Sequence, residues 1–310
     1  MTAVRRLVTG LVAVAVVMVA SFSLVRLIPG DPAARVGGEN VTPAQLAQIR
    51  HELGLDVSFW QQLLGYLRGV FTGDLGTSFT SHEAVASIIT GRLPLTLELA
   101  GTAFLLAIGV GVPLGLLTGA LTRDGRRPRL MAAFTGVTSL VHAVPDYLMA
   151  ALLVLVFAVT LRVLPVAGAE GPSSLVLPAL AVAAGAAAVL ARVTRAETVT
   201  VLSLDYVRAA RAKELTTVRV YGLHVLPNVV TAALTIGGLM LTSLVGGTVV
   251  VENVFAWPGL GTELVRAISQ RDYPVVQAVV LLLGVTIVVV NTLVDLVIAT
   301  LDPRSAVRGG

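Results

Sequence analysis

Asp205-Tyr-Val-Arg-Ala-Ala-Arg-Ala-Lys-Glu-Leu-Thr216 is a long polar stretch lying deep between hydrophobic segments, and it holds the only lysine of the chain, Lys213. Apolar runs flank it on both sides, Leu175–Val193 before and Pro227–Val251 after. Runs of roughly 20 apolar residues are what a helix needs to cross a bilayer core. Within the stretch, Ala209, Ala210 and Ala212 favour helix, and Ser203 or Asp205 offers a capping oxygen. Arg208 and Arg211 fall three apart on one face, with Glu214 within reach of Arg211 at the same spacing. The residues predict a short basic helix held between two membrane spans and built for contact with another protein. The plainer reading, a loop whose arginines only set topology, stands beside it.

Composition agrees with a membrane chain. Hydrophobic residues make up 55% of the 310 and charged residues 13%, against about a quarter in soluble domains. The net charge of +4 invites a nucleic-acid reading, but the basic residues sit in short loops between apolar runs, as topology determinants do. There is no cysteine, which excludes disulfides, thiolate metal sites and cysteine nucleophiles.

Hydropathy predicts six spans: Leu7–Ile28, Leu95–Leu121, Leu130–Val159, Leu175–Val193, Pro227–Val251 and Pro274–Leu301. The first follows Arg5-Arg6 but exceeds a signal core of about 7–15 residues. The third is long and contains Pro145, which predicts a tilt or kink. Arg5, Arg6, Arg123, Arg126, Arg127, Arg129, Arg208, Arg211, Lys213, Arg219, Arg304 and Arg308 fall on one side; the opposite short connections hold only Arg162, Arg266 and Arg271. The asymmetry predicts cytoplasmic termini. The chain then divides into 1–28, an extracytoplasmic helical piece 29–94, a core 95–301 with the cytoplasmic loop 198–226, and a tail 302–310. In the external piece, Thr42-Pro43 opens a helix that Gly54 suits to end, and Ser58–Thr72 is amphipathic and stopped by Gly73. Gly111, Gly115 and Gly119 recur every fourth residue, a stripe that lets helices pack closely in lipid. Gly237-Gly238, Gly246-Gly247 and Ala183–Ala188 suggest the same.

Enzyme motifs are absent. Lys213 lies between Ala212 and Glu214, so no Walker A loop exists. His51 and His82 lack the second histidine of a zinc helix, His142 and His224 stand alone, and no metal site is expected. Glu98, Asp146 and Asp295 lie within spans, where ionisable groups draw functional suspicion. Asp146 either lines a water-filled path or caps a helix broken after Pro145. The turn Trp257-Pro258-Gly259-Leu260-Gly261 and the short amphipathic helix Thr262–Arg271 form a stiff connector, an outer gate, or a contact for a binding protein.

Asp205–Glu214 followed by Leu226-Pro227 resembles the EAA-type loop of permease subunits in binding-protein-dependent ABC importers, and most resembles the first permease of the oligopeptide/dipeptide/nickel group. The resemblance runs through Leu27-Ile-Pro-Gly-Asp-Pro32, Leu53-Gly-Leu-Asp56, Gly73-Asp-Leu-Gly-Thr-Ser78 and Leu93-Pro-Leu-Thr-Leu-Glu-Leu99. It continues through Val249-Val-Val-Glu-Asn-Val-Phe-Ala-Trp-Pro-Gly-Leu-Gly261, Arg271-Asp-Tyr-Pro-Val-Val-Gln277 and Leu301-Asp-Pro-Arg304.

It implies an all-α, six-helix, type I importer permease in a bacterial inner membrane. Its partners would be a second homologous permease, two ATPase subunits or one fused, and an extracytoplasmic binding protein, with no nucleic acid. ATP and Mg would sit on the ATPases, leaving no cofactor here. Asp205, Tyr206, Arg208, Ala209, Ala210, Arg211, Lys213 and Glu214 would form the coupling helix, and Trp257, Pro258, Gly259, Arg271 and Asp272 the outer gate or binding-protein contact. Glu214 departs from the family's glycine at a turn that glycine would allow to be left-handed. The cargo would be di- or oligopeptides or similar solutes. A transporter or channel without ATPases is the alternative, and a scaffolding role a third reading.

Overall fold

Backbone N–H and C=O groups inside lipid must be paired within the protein, so a chain this apolar folds as helices. The computed structural model describes residues 3–27, 30–38 and 41–301. No strand occurs among them, only an isolated bridge between Thr77 and Ala84. Ile28, Pro29 and the tail 302–310, with Arg304 and Arg308, lie outside the described residues, as does the side chain of Asp295.

The first helix, α1, spans Ala3–Leu24 and tightens into a 3-10 turn, Val25–Leu27. Three external helices follow: α2 (Pro32–Gly37), α3 (Pro43–Glu52) and α4 (Phe59–Thr72). Thr42 and Ser58 open the last two with full capping boxes, satisfying N–H groups that helix starts leave unpaired. Gly54 and Gly73 stand in left-handed backbone at the two ends, as their sequence positions predict.

Helix α5 runs Val85–Thr122, starting ten residues before the Leu95 at which its apolar run begins. Helix α6 (Pro128–Ala143) and α7 (Asp146–Leu153, continued as a π-turn to Thr160) form a pair bent by 100°. Val144 and Pro145 at the break take extended backbone, which the proline ring enforces by excluding a continuous ladder. The predicted kink is therefore a bend just past a right angle. Helices α8 (Pro172–Leu202), α9 (Asp205–Ala212), α10 (Thr217–Val220), α11 (Leu226–Val254), α12 (Leu260–Gln270) and α13 (Tyr273–Leu301) complete the order.

Four described helical stretches are long and apolar enough to cross a membrane: Val85–Gly125, Pro172–Leu202, Val218–Leu241 and Tyr273–Val294. The bent pair makes a fifth, and the apolar part of α1, Val8–Leu24, is shorter than that standard.

The chain packs as two units. One comprises the described residues of Met1–Thr96 with Pro258–Val289. Its core sets Val25, Val85, Ile88 and Ile89 against Leu260 and Ala267 of α12 and Val275–Val279 of α13. The Cβ-less Gly284 lets α13 lie against Val17 of α1. Helix α4 packs on α1 through Phe59 and Phe22, 5.3 Å apart edge to face, with the Arg26 guanidinium about 4.5 Å from each ring.

The other unit comprises Leu97–Trp257 with the described residues of Val290–Gly310. Helix α8 runs through its middle, against α6, α7 and α11, and buries Leu177, Ala181, Val182, Ala183 and Ala186. The glycine stripe of α5 faces α8. A Cβ on Gly111 would lie 2.9 Å from the Ala187 carbonyl, one on Gly115 2.6 Å from Thr194 Cβ, and one on Gly119 2.7 Å from Thr198 Cβ. No real Cβ fits there, so the stripe is a helix contact, as its spacing predicts.

Candidate functional site

The polar stretch 205–212 is helical, as three alanines favour, but neither predicted cap is used. Leu204 is the N-cap residue and gives no side-chain bond. Ser203 turns its hydroxyl back to the Thr200 carbonyl (2.7 Å), and Asp205, in the first turn, pairs with Arg208 at 3.0 Å. A carboxylate in a first turn is favoured by the helix dipole without a direct cap. Burial fixes the helix instead. Val207 and Ala210 face Val201, Leu202, Val220, Val225 and Val229, while Asp205, Tyr206, Arg208, Ala209 and Lys213 are exposed.

Tyr206 ties this helix to the head of α11. Its hydroxyl donates to the His224 carbonyl (3.2 Å) and accepts from Asn228 Nδ2 (3.0 Å), which also donates to the same carbonyl (2.9 Å). Leu226 and Pro227 begin α11, so α9 is joined by hydrogen bonds and packing to the head of that long apolar helix. Nothing in the local sequence announces the Tyr206–Asn228 pair, whose members are 22 residues apart.

Glu214 ends the element in left-handed backbone, φ +55°. Its N–H bonds the Arg211 carbonyl at 2.9 Å. A turn that glycine would make freely is made here by a residue with a side chain, at a steric cost of about 1–2 kcal/mol. The expected Arg211–Glu214 ion pair is not formed among the described residues; Arg208 is the arginine that pairs.

In the membrane, Asp146 is the first residue of α7 and is half-buried. The N-cap position is Pro145, which gives no side-chain bond, and Asp146 stands one residue inside it as the acid of the first turn, where the helix dipole favours it. Among the described residues it has neither a hydrogen bond nor an ion pair. Two glycines leave the wall beside it bare: a Cβ on Gly247 would lie 3.1 Å from Oδ2, and one on Gly185 4.0 Å from Oδ1. Glu98 is exposed.

The residues predicted for the outer side divide by role. Trp257 is buried and its N–H bonds the Glu252 carbonyl at 2.8 Å, next to Ala256 in left-handed backbone. Gly259 is the N-cap position of α12 and half-buried Pro258 precedes it. Arg271 closes α12 in left-handed backbone, φ +57°, with its guanidinium against Gly30.

Asp272 is buried and holds the loop 78–80. Ser78 Oγ (2.5 Å), Thr80 Oγ1 (2.8 Å) and the N–H groups of Phe79 (3.0 Å) and Thr80 (3.4 Å) all donate to its carboxylate. Nearby, the buried Glu263 lies between Arg92 (2.9 Å, oblique) and Arg266 (2.5 Å). Sequence reading had no handle on these long-range anchors. No group of three His, Asp or Glu side chains suited to a metal ion occurs among the described residues.

A helical bundle with one sharply bent span and a short basic helix between two long apolar ones defines a class: the permease fold of type I ABC importers. The solved MetNI methionine ABC transporter, inward facing, matches it with a TM-score of 0.59 at 18% identity, over 70% of this chain and 97% of that one. Residues 111–307 match the family described as binding-protein-dependent transport system inner membrane component, and residues 2–100 its N-terminal counterpart. The chain belongs to that family and is an ABC importer permease subunit, not itself an enzyme. Two relatives illustrate its neighbourhood. A Brucella abortus (strain 2308) protein named as a peptide transport system permease is 40% identical, with 93% of each chain covered. The glutathione transport system permease protein GsiC of Escherichia coli O6:H1 is 38% identical, also with 93% of each covered.

Proposed function

We propose that the chain is one half of the channel of an ATP-driven importer of di- or oligopeptides or similar small solutes, and that α9 is its coupling helix. In this reading the chain makes six spans, α1 included, which puts both termini on one side, and the arginine-rich loops support that side being the cytoplasm of a bacterial cell. A second homologous permease completes the channel, an extracytoplasmic binding protein delivers cargo, and two ATPase subunits, or one fused, bind ATP and Mg.

The observation that carries the reading is the division of α9. Val207 and Ala210 anchor it, Tyr206 connects it to α11, and Arg208, Ala209 and Lys213 are left facing outward. A helix held on one face and bare on the other is suited to transmitting a push. Arg211 and the left-handed Glu214 complete the outward surface. Asp146, beside two glycines, is our candidate for the translocation path. On the outer side, Arg271, Pro258 and Gly259 belong to the candidate gate or binding-protein contact, where Trp257 and Asp272 act as buried supports.

The test is uptake of labelled peptides into proteoliposomes holding the complete complex with its binding protein. Charge reversal at both Arg208 and Arg211 is expected to lower ATP-driven uptake at least about tenfold, as removal of interfacial charge pairs does. Uptake that persists without ATP would favour a secondary transporter or channel.

A further inference from the structure

The loop between α5 and α6 borders an open hollow. We propose that it is a binding site for the phosphate headgroup of an anionic phospholipid. Arg123, Arg126 and Arg195 border a space of about 630 Å3, whose remaining wall includes Pro128, Met131 and Ala132.

The sequence builds it in three steps. The glycine stripe draws α8 against α5, with a Cβ on Gly119 blocked by the Arg195 carbonyl as well as by Thr198. That closeness sets Arg195 under the end of α5, where its Nε donates to Thr122 Oγ1 at 3.1 Å. The chain then reverses through three left-handed residues, Asp124, Gly125 and Arg127, and folds Arg126 back over the hollow.

Charge decides the occupant. Among the described residues the one carboxylate paired here is Asp124, 3.3 Å from Arg123 Nε, so three arginines and one acid line the hollow. Arg195 is half-buried with a hydroxyl as its bonded partner and no carboxylate. A partly buried arginine without an anion is costly, and a phosphate accepting from its fork would relieve it. The position fits too. Thr122 and Pro128 mark the ends of two spans on the arginine-rich side, where basic pockets between helices take lipid headgroups. The apolar face of Met131 and Ala132 would lie along the glycerol and acyl carbons. A free phosphate shares the headgroup chemistry but gains nothing from that face.

The experiment is native mass spectrometry of the intact importer complex titrated with phosphatidylglycerol or phosphatidylcholine, with and without millimolar inorganic phosphate. The wild type is expected to retain phosphatidylglycerol preferentially. Arg123→Gln with Arg126→Gln should weaken retention by about fivefold per arginine removed. Arg195→Gln risks the α5–α8 contact, so Ala132→Trp, which fills the hollow and leaves every charge in place, provides the second arm and should also abolish the preference. Equal retention of the two lipids, retention indifferent to both variants, or displacement by inorganic phosphate alone would overturn the proposal. So would lipid bound only when the ATPases are stripped away, which would assign the hollow to a protein interface. The readout is lipid retention and not uptake, so it stands or falls separately from the transport reading.

Discussion

Glu214 shows how a single dihedral separates two kinds of importance. Its φ of +55° is a conformation that glycine adopts freely and a side chain does not. Glu214→Gly is expected to raise thermal stability of the permease by about 1 kcal/mol and to leave ATPase coupling unchanged. A large loss of substrate-stimulated hydrolysis in that variant would mean the carboxylate itself touches the ATPase. Asp272 makes the opposite case. Its carboxylate accepts four bonds from residues 78–80, and Asp272→Ala strands those donors. The expected cost is about 3 kcal/mol, read as faster proteolysis of the 74–84 loop and a lower melting temperature. The position of Glu214 was legible because a family pattern put glycine there. Asp272 was legible only as a member of a motif, because its partners lie more than 190 residues earlier in the chain and no local spacing reveals them.

Among the elements, those whose signals are local followed the sequence closely. Thr42 and Gly73 cap where the sequence predicts, Ser58 caps the helix it is expected to begin, and the stripe Gly111–Gly115–Gly119 meets a partner helix as its period requires. Gly115→Leu is expected to collapse folded yield, since overpacking usually costs about 1–3 kcal/mol and here the obstruction is backbone. Normal yield would show that α5 and α8 can separate. The end of α3 offers a pH test. A hydrogen bond from His51 to Asp56 (2.7 Å) raises the imidazole above its usual value, and the same bond lowers the carboxyl. The histidine's contribution is full below its unfolded value and lost as pH rises through the raised one. The aspartate's is present above its unfolded value and lost as pH falls through the lowered one. Amide exchange at Leu53–Leu55 should therefore show most protection, after correction for intrinsic rates, at mildly acidic pH. Two features were not legible. Leu204, not Ser203 or Asp205, stands at the start of α9 because burial of Val207 and Ala210 fixes the helix more firmly than a capping oxygen would. The bend at Pro145 reached 100° because the proline and the residue before it both leave helical backbone, whereas hydropathy reports only that the run is apolar.

For the whole molecule, the account joins a lever to a path. Asp146, without a hydrogen bond among the described residues and beside Gly185, Gly247 and the His142 ring, is expected to matter to cargo more than to folding. Asp146→Asn should leave the melting temperature of the complex within about 0.5 kcal/mol equivalent while lowering uptake of peptides with a free amino terminus. Unchanged uptake would remove it from the path. The most direct measurement concerns α9 itself. The chain has no cysteine, so Arg208→Cys, Ala209→Cys and Val207→Cys can each be introduced alone and cross-linked in the assembled importer. The account predicts that positions 208 and 209 capture the ATPase subunit, with a yield that changes on ATP binding, while the inward position 207 does not. An ATPase captured from none of them, or equally from all three, would contradict the assignment of this helix as the coupling element.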